Sequence, residues 1–300
     1  MEHEIKNPVL RFVVYGHVLL ALGAAAQVWW ASDFVRWVPD VRLCAFAFLV
    51  SFAAYGSMRL LRMNAVGLEG SAIMQWYRSH HRLMLLLVFL SVFAAAAIGW
   101  PLWQPIAHAL WLPGLIAAFY TLPLALTGGR PIGLRRIPFV KAFIIACVWA
   151  SVAVVLPGTQ EFEGRQHVSS DDRWFASIWA GFFFALAVAF DVRDLPHDRP
   201  GLRTIPQVFG HGWAKVIAMT ALIPMLLMLL TMVALSYYPI EQGWREPGID
   251  WSMLLPAMGV ALTGALIAKA DPAKPWWYWS LLLDGSMILL PLLSWVGGLV

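Results

Sequence analysis

Long apolar runs alternate with short polar segments along almost the whole chain. A helix needs about 20 apolar residues, at roughly 1.5 Å each, to cross the hydrocarbon core of a bilayer. Runs of that order predict helices at 9–31, 40–61, 82–100, 104–127, 137–157, 173–194, 212–236, 252–269 and 277–297. Pro113 and Pro123 interrupt the fourth run. Membrane helices tolerate proline where neighbouring groups satisfy the freed carbonyls. The first run resembles a secretory leader in having Ala24 and Ala26 near its end. Glu2 and Glu4 beside Lys6 are not the clean basic start such a leader carries, so the run reads as a span. No linker, low-complexity tract or short repeat divides the chain, and residues 1–300 read as one helical domain.

The basic residues give the nine-helix plan an orientation. Lys6, Arg11, Arg59, Arg62, Arg78, Arg82, Arg130, Arg135, Arg136, Lys141, Arg193, Arg199, Arg203, Lys215, Lys269 and Lys274 fall on one side. Only Arg36, Arg42, Arg165, Arg173 and Arg245 fall on the other. Such an excess marks the cytoplasmic side. The N-terminus is therefore expected in the cytoplasm and the C-terminus outside, with a bacterial inner membrane as the expected location.

Composition agrees with the pattern. Hydrophobic residues make up 60% of the chain and charged residues 13%, against about 25% charged in soluble domains. A soluble fold would lack a charged surface. The 17 Trp suit a protein with two membrane–water interfaces. The net charge of +4 is spread among the membrane segments and gives no nucleic-acid surface. Cys44 and Cys147 match no metal or redox spacing and read as packing residues.

One polar segment stands out: Asp191, Arg193, Asp194, Pro196, His197, Asp198 and Arg199, at the end of the sixth helix. Steps of about 100° per residue put aspartates at i, i+3 and i+7 within about 60° of one another. Pro196 should end or unwind the helix, so Asp198 is expected in the loop. A helix C-terminus already carries partial negative charge, so three carboxylates there need a cation. Carboxylate oxygens of this kind suit Mg²⁺ held with water and phosphates. The alternative is a solvated loop whose aspartates pair with Arg193, Arg199 and Arg203.

Downstream follow Gly201, Leu202, Arg203, Thr204, Ile205 and Pro206, then Gly210 before the seventh helix. With this tail, Asp191 to Gly210 resembles the D-x-x-D-x-x-x-D motif of the UbiA superfamily of intramembrane prenyltransferases. The helix count, the orientation and the connection around Tyr120–Pro123 and Leu134–Pro138 are also similar to that family. The resemblance implies a nine-helix bundle with a central cavity opening to the cytoplasm. It implies Mg²⁺ held by Asp191, Asp194 and Asp198. It further implies an isoprenoid diphosphate and a lipophilic acceptor as substrates, with membrane lipids around them. In such enzymes the metal and nearby cations neutralise the departing pyrophosphate while an apolar cavity shelters the allylic cation from water. Residues expected at the diphosphate are Arg59, Arg62, Tyr120, Lys141, Arg199 and Arg203.

The family's second acidic motif, after the second helix, has no counterpart. Tyr55 to Asn64 contains no carboxylate, and Arg59 and Arg62 stand where the acids would be. Either these guanidinium groups bind pyrophosphate directly, or the site has decayed and they snorkel to the headgroups. His80 and His81 point to different helix faces and do not read as a metal pair. Asp284, about eight residues into the last run, is a charge in hydrocarbon and needs a cavity, a partner or a proton. Lys141 is one candidate partner. His17 and His108 read as core or interface residues.

The leading expectation is Mg²⁺-dependent prenyl transfer to a lipophilic acceptor. A UbiA-type terpene cyclase and a non-catalytic lipid-binding or assembly protein are the alternatives. No duplicated pair of broken helices argues for a transporter.

Overall fold

The computed structural model describes residues 5–35, 39–63, 72–121, 125–127, 130–132, 139–158, 170–196, 203–237 and 248–300. The described residues are helical apart from one short hairpin. The helices are α1 Pro8–Tyr15, α2 Val18–Val35, α3 Val41–Arg62, α4 Ala72–Ser79, α5 His81–Gly99 and α6 Trp103–Thr121. They continue with α7 Val140–Gly158, α8 Ser170–Asp194, α9 Ile205–Ser236, α10 Trp251–Ala268 and α11 Tyr278–Gly297. Eight of them are long and apolar enough to cross a membrane: α2, α3, α5 with its extension to Leu102, and α7 to α11.

Two expected spans are corrected. The first run is not one helix. Asn7 caps α1 by accepting from the Val9 and Leu10 amides, and α1 ends at Gly16 before His17 turns the chain at φ 59°. Hydropathy carries no signal for that turn. The fourth run ends as a helix at Thr121, and Ala125–Thr127 pairs antiparallel with Arg130–Ile132 across a Gly-Gly sequence suited to a two-residue turn. α6 carries Gln104, Pro105 and His108 and is not one of the eight.

Side-chain bonds at the helix ends show that the long helices alternate in direction. At one face, Arg59 near the end of α3 meets His17 at the start of α2. There Lys141 at the start of α7 meets Asp191 near the end of α8. His211 and Lys215 of α9 reach the Ala270 and Ala268 carbonyls just past and at the end of α10. At the opposite face the Ser236 hydroxyl donates to the Gly248 carbonyl at 2.9 Å. Gly297 of α11 lies so close to the start of α10 that a Cβ there would stand 2.1 Å from the Trp251 carbonyl oxygen.

The main core packs α2 and α8 against α7, α9 and α11, with Trp30, Trp179, Phe182, Met225 and Leu229 fully buried. Buried Gln27 ties three helices together. Its carbonyl accepts from Trp179 Nε1 at 2.9 Å, and its amide donates to the Met287 carbonyl at 2.8 Å. Burying an amide without partners would be costly, and both ends here are satisfied. A second cluster joins Ile5, Tyr15, Phe52, Trp76, Tyr77 and Met84, so that α1 and α4 pack across the face where α3 ends. The outward Leu85, Phe89 and Phe93 of α5 are exposed, as a lipid-facing helix requires. α9 kinks at Gly210, whose φ of 80° suits a residue without Cβ. α7 and α11 each contain a widened π turn, at Ser151–Val155 and Tyr278–Leu283. Cys44 packs against the core, whereas Cys147 is exposed, so the packing expectation fits only the first.

Candidate functional site

The ends of α3 and α8 and the start of α7 bring charged residues together. The Lys141 ammonium bonds the Asp191 carboxylate, which is 2% exposed against 21% for the lysine. Asp194, one turn on, is held by its neighbour Arg193. Nε donates to Oδ1 at 2.7 Å, and the second guanidinium nitrogen to Oδ2 at 3.3 Å. Arg193 also packs over the Phe190 ring, 4.8 Å from its centroid. This pair keeps 35% and 37% of its side-chain surface open.

Arg59 belongs to the same neighbourhood. It interacts electrostatically with both Arg193 and Asp194. Its Nε donates to His17 Nε2 at 3.2 Å, and among the described residues no carboxylate forms an ion pair with it. Burial, followed by the Arg59 charge, pushes the His17 imidazole down to about 3. His17 is therefore neutral and accepts from the guanidinium. Tyr77 lies alongside, fully buried, with a hydroxyl that has no hydrogen-bond partner among the described residues. Burial pushes its phenol up to about 12, opposed by Arg59. Asp284 follows the π turn of α11 and faces Arg193.

An aromatic row runs from this cluster into the bundle. The His17 and Tyr55 rings are 5.4 Å apart, Tyr55 and Trp149 6.3 Å, and Trp149 and Phe183 5.4 Å. Trp149 Nε1 donates to the Tyr55 hydroxyl at 3.3 Å.

Of the expected site residues, the fold brings Asp191, Asp194, Lys141 and Arg59 together. Arg62 closes α3, three residues beyond Arg59. Arg203 is exposed at φ 47°, just before α9. Asp198, Arg199 and the Tyr120 side chain lie outside the described residues. His17, expected as a satisfied core or interface residue, is half-buried and has Arg59 as its partner. The residue Lys141 pairs with is Asp191 rather than Asp284.

The set fits a metal poorly. Both oxygens of Asp194 are taken by Arg193, and Asp191 is sealed beneath Lys141. Mg²⁺ requires near-octahedral oxygen ligands and keeps several waters. Among the described residues no three of His, Cys, Asp or Glu form a group able to hold a metal ion. The arrangement can instead present cationic forks to an anion. The chain matches no protein-family model, no curated protein and no solved structure.

Proposed function

We propose that this protein is an intramembrane prenyltransferase-like enzyme of the UbiA type, taking an isoprenoid diphosphate and a lipophilic acceptor. One observation carries the reading. Arg59 from the second predicted span, Lys141 from the fifth and the aspartates of the sixth, far apart in sequence, share one charged cluster at one face of the bundle. A guanidinium in a membrane protein without a carboxylate partner is costly. A phosphate oxygen is the ligand its planar fork suits. The aromatic row behind it supplies apolar surface of the kind a prenyl tail packs against.

The alternation of the helices supports the nine-span plan. α5 leaves the face that carries the cluster and α7 starts at that face, so a crossing between residues 99 and 140 fits the plan. α6 is the described helix of that stretch. The lysine and arginine excess makes the cluster face cytoplasmic. In the reaction, the allylic C–O bond breaks with its electron pair leaving on pyrophosphate. A nucleophilic atom of the acceptor bonds the allylic carbon and loses a proton. The Mg²⁺ implied by the resemblance lacks a ready ligand set among the described residues, and no step here uses it.

The ion pairing of Asp191 and Asp194 favours a second reading, a non-catalytic binder of phosphorylated lipids. Purified full-length protein titrated with farnesyl diphosphate, with farnesol as control, tests the site. The diphosphate should bind more tightly than the alcohol, and Arg59→Ala should lose that preference at unchanged membrane yield. Equal binding of the two ligands by the wild type refutes both readings. Release of pyrophosphate on adding membrane lipid extract then separates the enzyme from the binder.

A further inference from the structure

We propose that the carboxylates of this cluster act as counter-ions to its cations, and that the site binds phosphate on Arg59, Lys141 and Arg193 without a divalent metal. The inference rests on the reading above that a phosphorylated isoprenoid is the ligand. It departs from the metal dependence that the aspartate motif alone suggests.

The charge count comes first. The described residues of the cluster contribute three cations, Arg59, Lys141 and Arg193, and three carboxylates, Asp191, Asp194 and Asp284. His17 adds nothing, being neutral. Counted over the described residues, and with Asp284 ionised, the cluster's cations and carboxylates balance. A divalent ion would bring two more positive charges beside three existing ones, in a setting where charges are weakly screened.

Coordination points the same way. Asp191 is 2% exposed and covered by Lys141, which leaves no approach for an ion carrying its own waters. Asp194 is open, yet Arg193 bonds both of its oxygens in a fork. Binding a metal would require each aspartate to give up its cation. Binding a phosphate asks for much less. Among the described residues Arg59 commits only its Nε, to a neutral imidazole, which leaves the two terminal nitrogens of its fork for a ligand. Arg193 can exchange one oxyanion for another, from carboxylate to phosphate, with the same geometry. Asp284 attracts Arg193 electrostatically. In this arrangement the acidic residues keep the cations charged and placed within the membrane, then compete with the ligand for them.

The two roles predict opposite signs for one substitution. Removing a metal ligand weakens diphosphate binding, whereas removing a competing counter-ion strengthens it. The experiment is a titration of the full chain in nanodiscs with farnesyl diphosphate, in EDTA and in millimolar Mg²⁺. Wild type, Asp194→Asn, Asp284→Asn and Arg59→Gln are compared. The expected result is a wild-type affinity equal within threefold in the two conditions. Binding should tighten at least threefold in either aspartate variant and weaken at least tenfold in Arg59→Gln. Asp284→Asn serves if Asp194→Asn does not fold. Binding seen only with Mg²⁺, or lost in Asp194→Asn, overturns the proposal while leaving the diphosphate reading intact. No preference for the diphosphate over farnesol in either condition removes both.

Discussion

Replacing His17 with asparagine should abolish most of the acid sensitivity of this fold between pH 7 and pH 5. The imidazole is neutral in the folded protein, with its pKa pushed down to about 3 by burial and by Arg59. The unfolded chain protonates it near its ordinary 6.5. Below that pH the unfolded state binds a proton that the folded state refuses, so stability is full above about 6.5 and falls towards pH 3. At pH 5 the difference is about 1.5 pH units, or about 2 kcal/mol at roughly 1.4 kcal/mol per unit. His17 is only half-buried, which makes this an upper figure. Two kcal/mol corresponds to a fall in Tm of at most roughly 3 °C for a chain of this size. Asparagine keeps a side-chain oxygen to accept from Arg59, does not titrate, and tolerates the left-handed backbone at φ 59°. The assay is thermal unfolding in detergent, followed by tryptophan fluorescence, at pH 7.5, 6, 5.5 and 5. Carboxylates elsewhere titrate in both proteins and cancel in the comparison. Equal pH dependence in wild type and His17→Asn, or a wild-type Tm flat across this range, would refute the reasoning.

Other outcomes follow from the same contacts. Asp191→Asn should destabilise by up to about 3 kcal/mol because it removes the buried carboxylate that Lys141 bonds. Asp191→Asn with Lys141→Met should cost clearly less than the sum of the single changes, read as Tm in a double-mutant cycle. Gln27→Leu leaves Trp179 Nε1 and the Met287 carbonyl unpaired and should cost about 1–3 kcal/mol for each stranded group, again as a loss of Tm. Gly297→Ala puts a methyl 2.1 Å from the Trp251 carbonyl oxygen and should lower both yield and Tm. Gly114→Ala, with nothing within 4 Å, should not.

The spans were readable in the sequence because run length alone decides whether a helix crosses a bilayer. The break between α1 and α2 was not, since it depends on one backbone angle at His17. Gln104 and His108 within α6 were visible in the sequence, whereas the strand pair after it depends on the pairing of Ala125–Thr127 with Arg130–Ile132. The site was half legible. The common face of Asp191 and Asp194 follows from helix periodicity. Their partners do not: Lys141 lies 50 residues from Asp191, and Arg193 turns back on the adjacent Asp194. Asp284 announced itself as a charge in hydrocarbon, yet its neighbour is Arg193 rather than the expected Lys141. Arg59 was visible as a basic residue where acids were expected. The imidazole that holds it sits 42 positions upstream in what looked like continuous helix.

Gln27 bears on the biogenesis of the protein. Its amide nitrogen finds its acceptor on Met287, 260 positions later in the chain. While synthesis proceeds, the first long helix therefore carries an unsatisfied donor into the lipid, and only insertion of the last one closes the bond. A nascent chain stopped before α11 can already join α2 to α8 through Gln27 and Trp179, but it leaves the Gln27 amide nitrogen without its Met287 acceptor. Closing that bond couples the packing of α11 to a contact made early in synthesis.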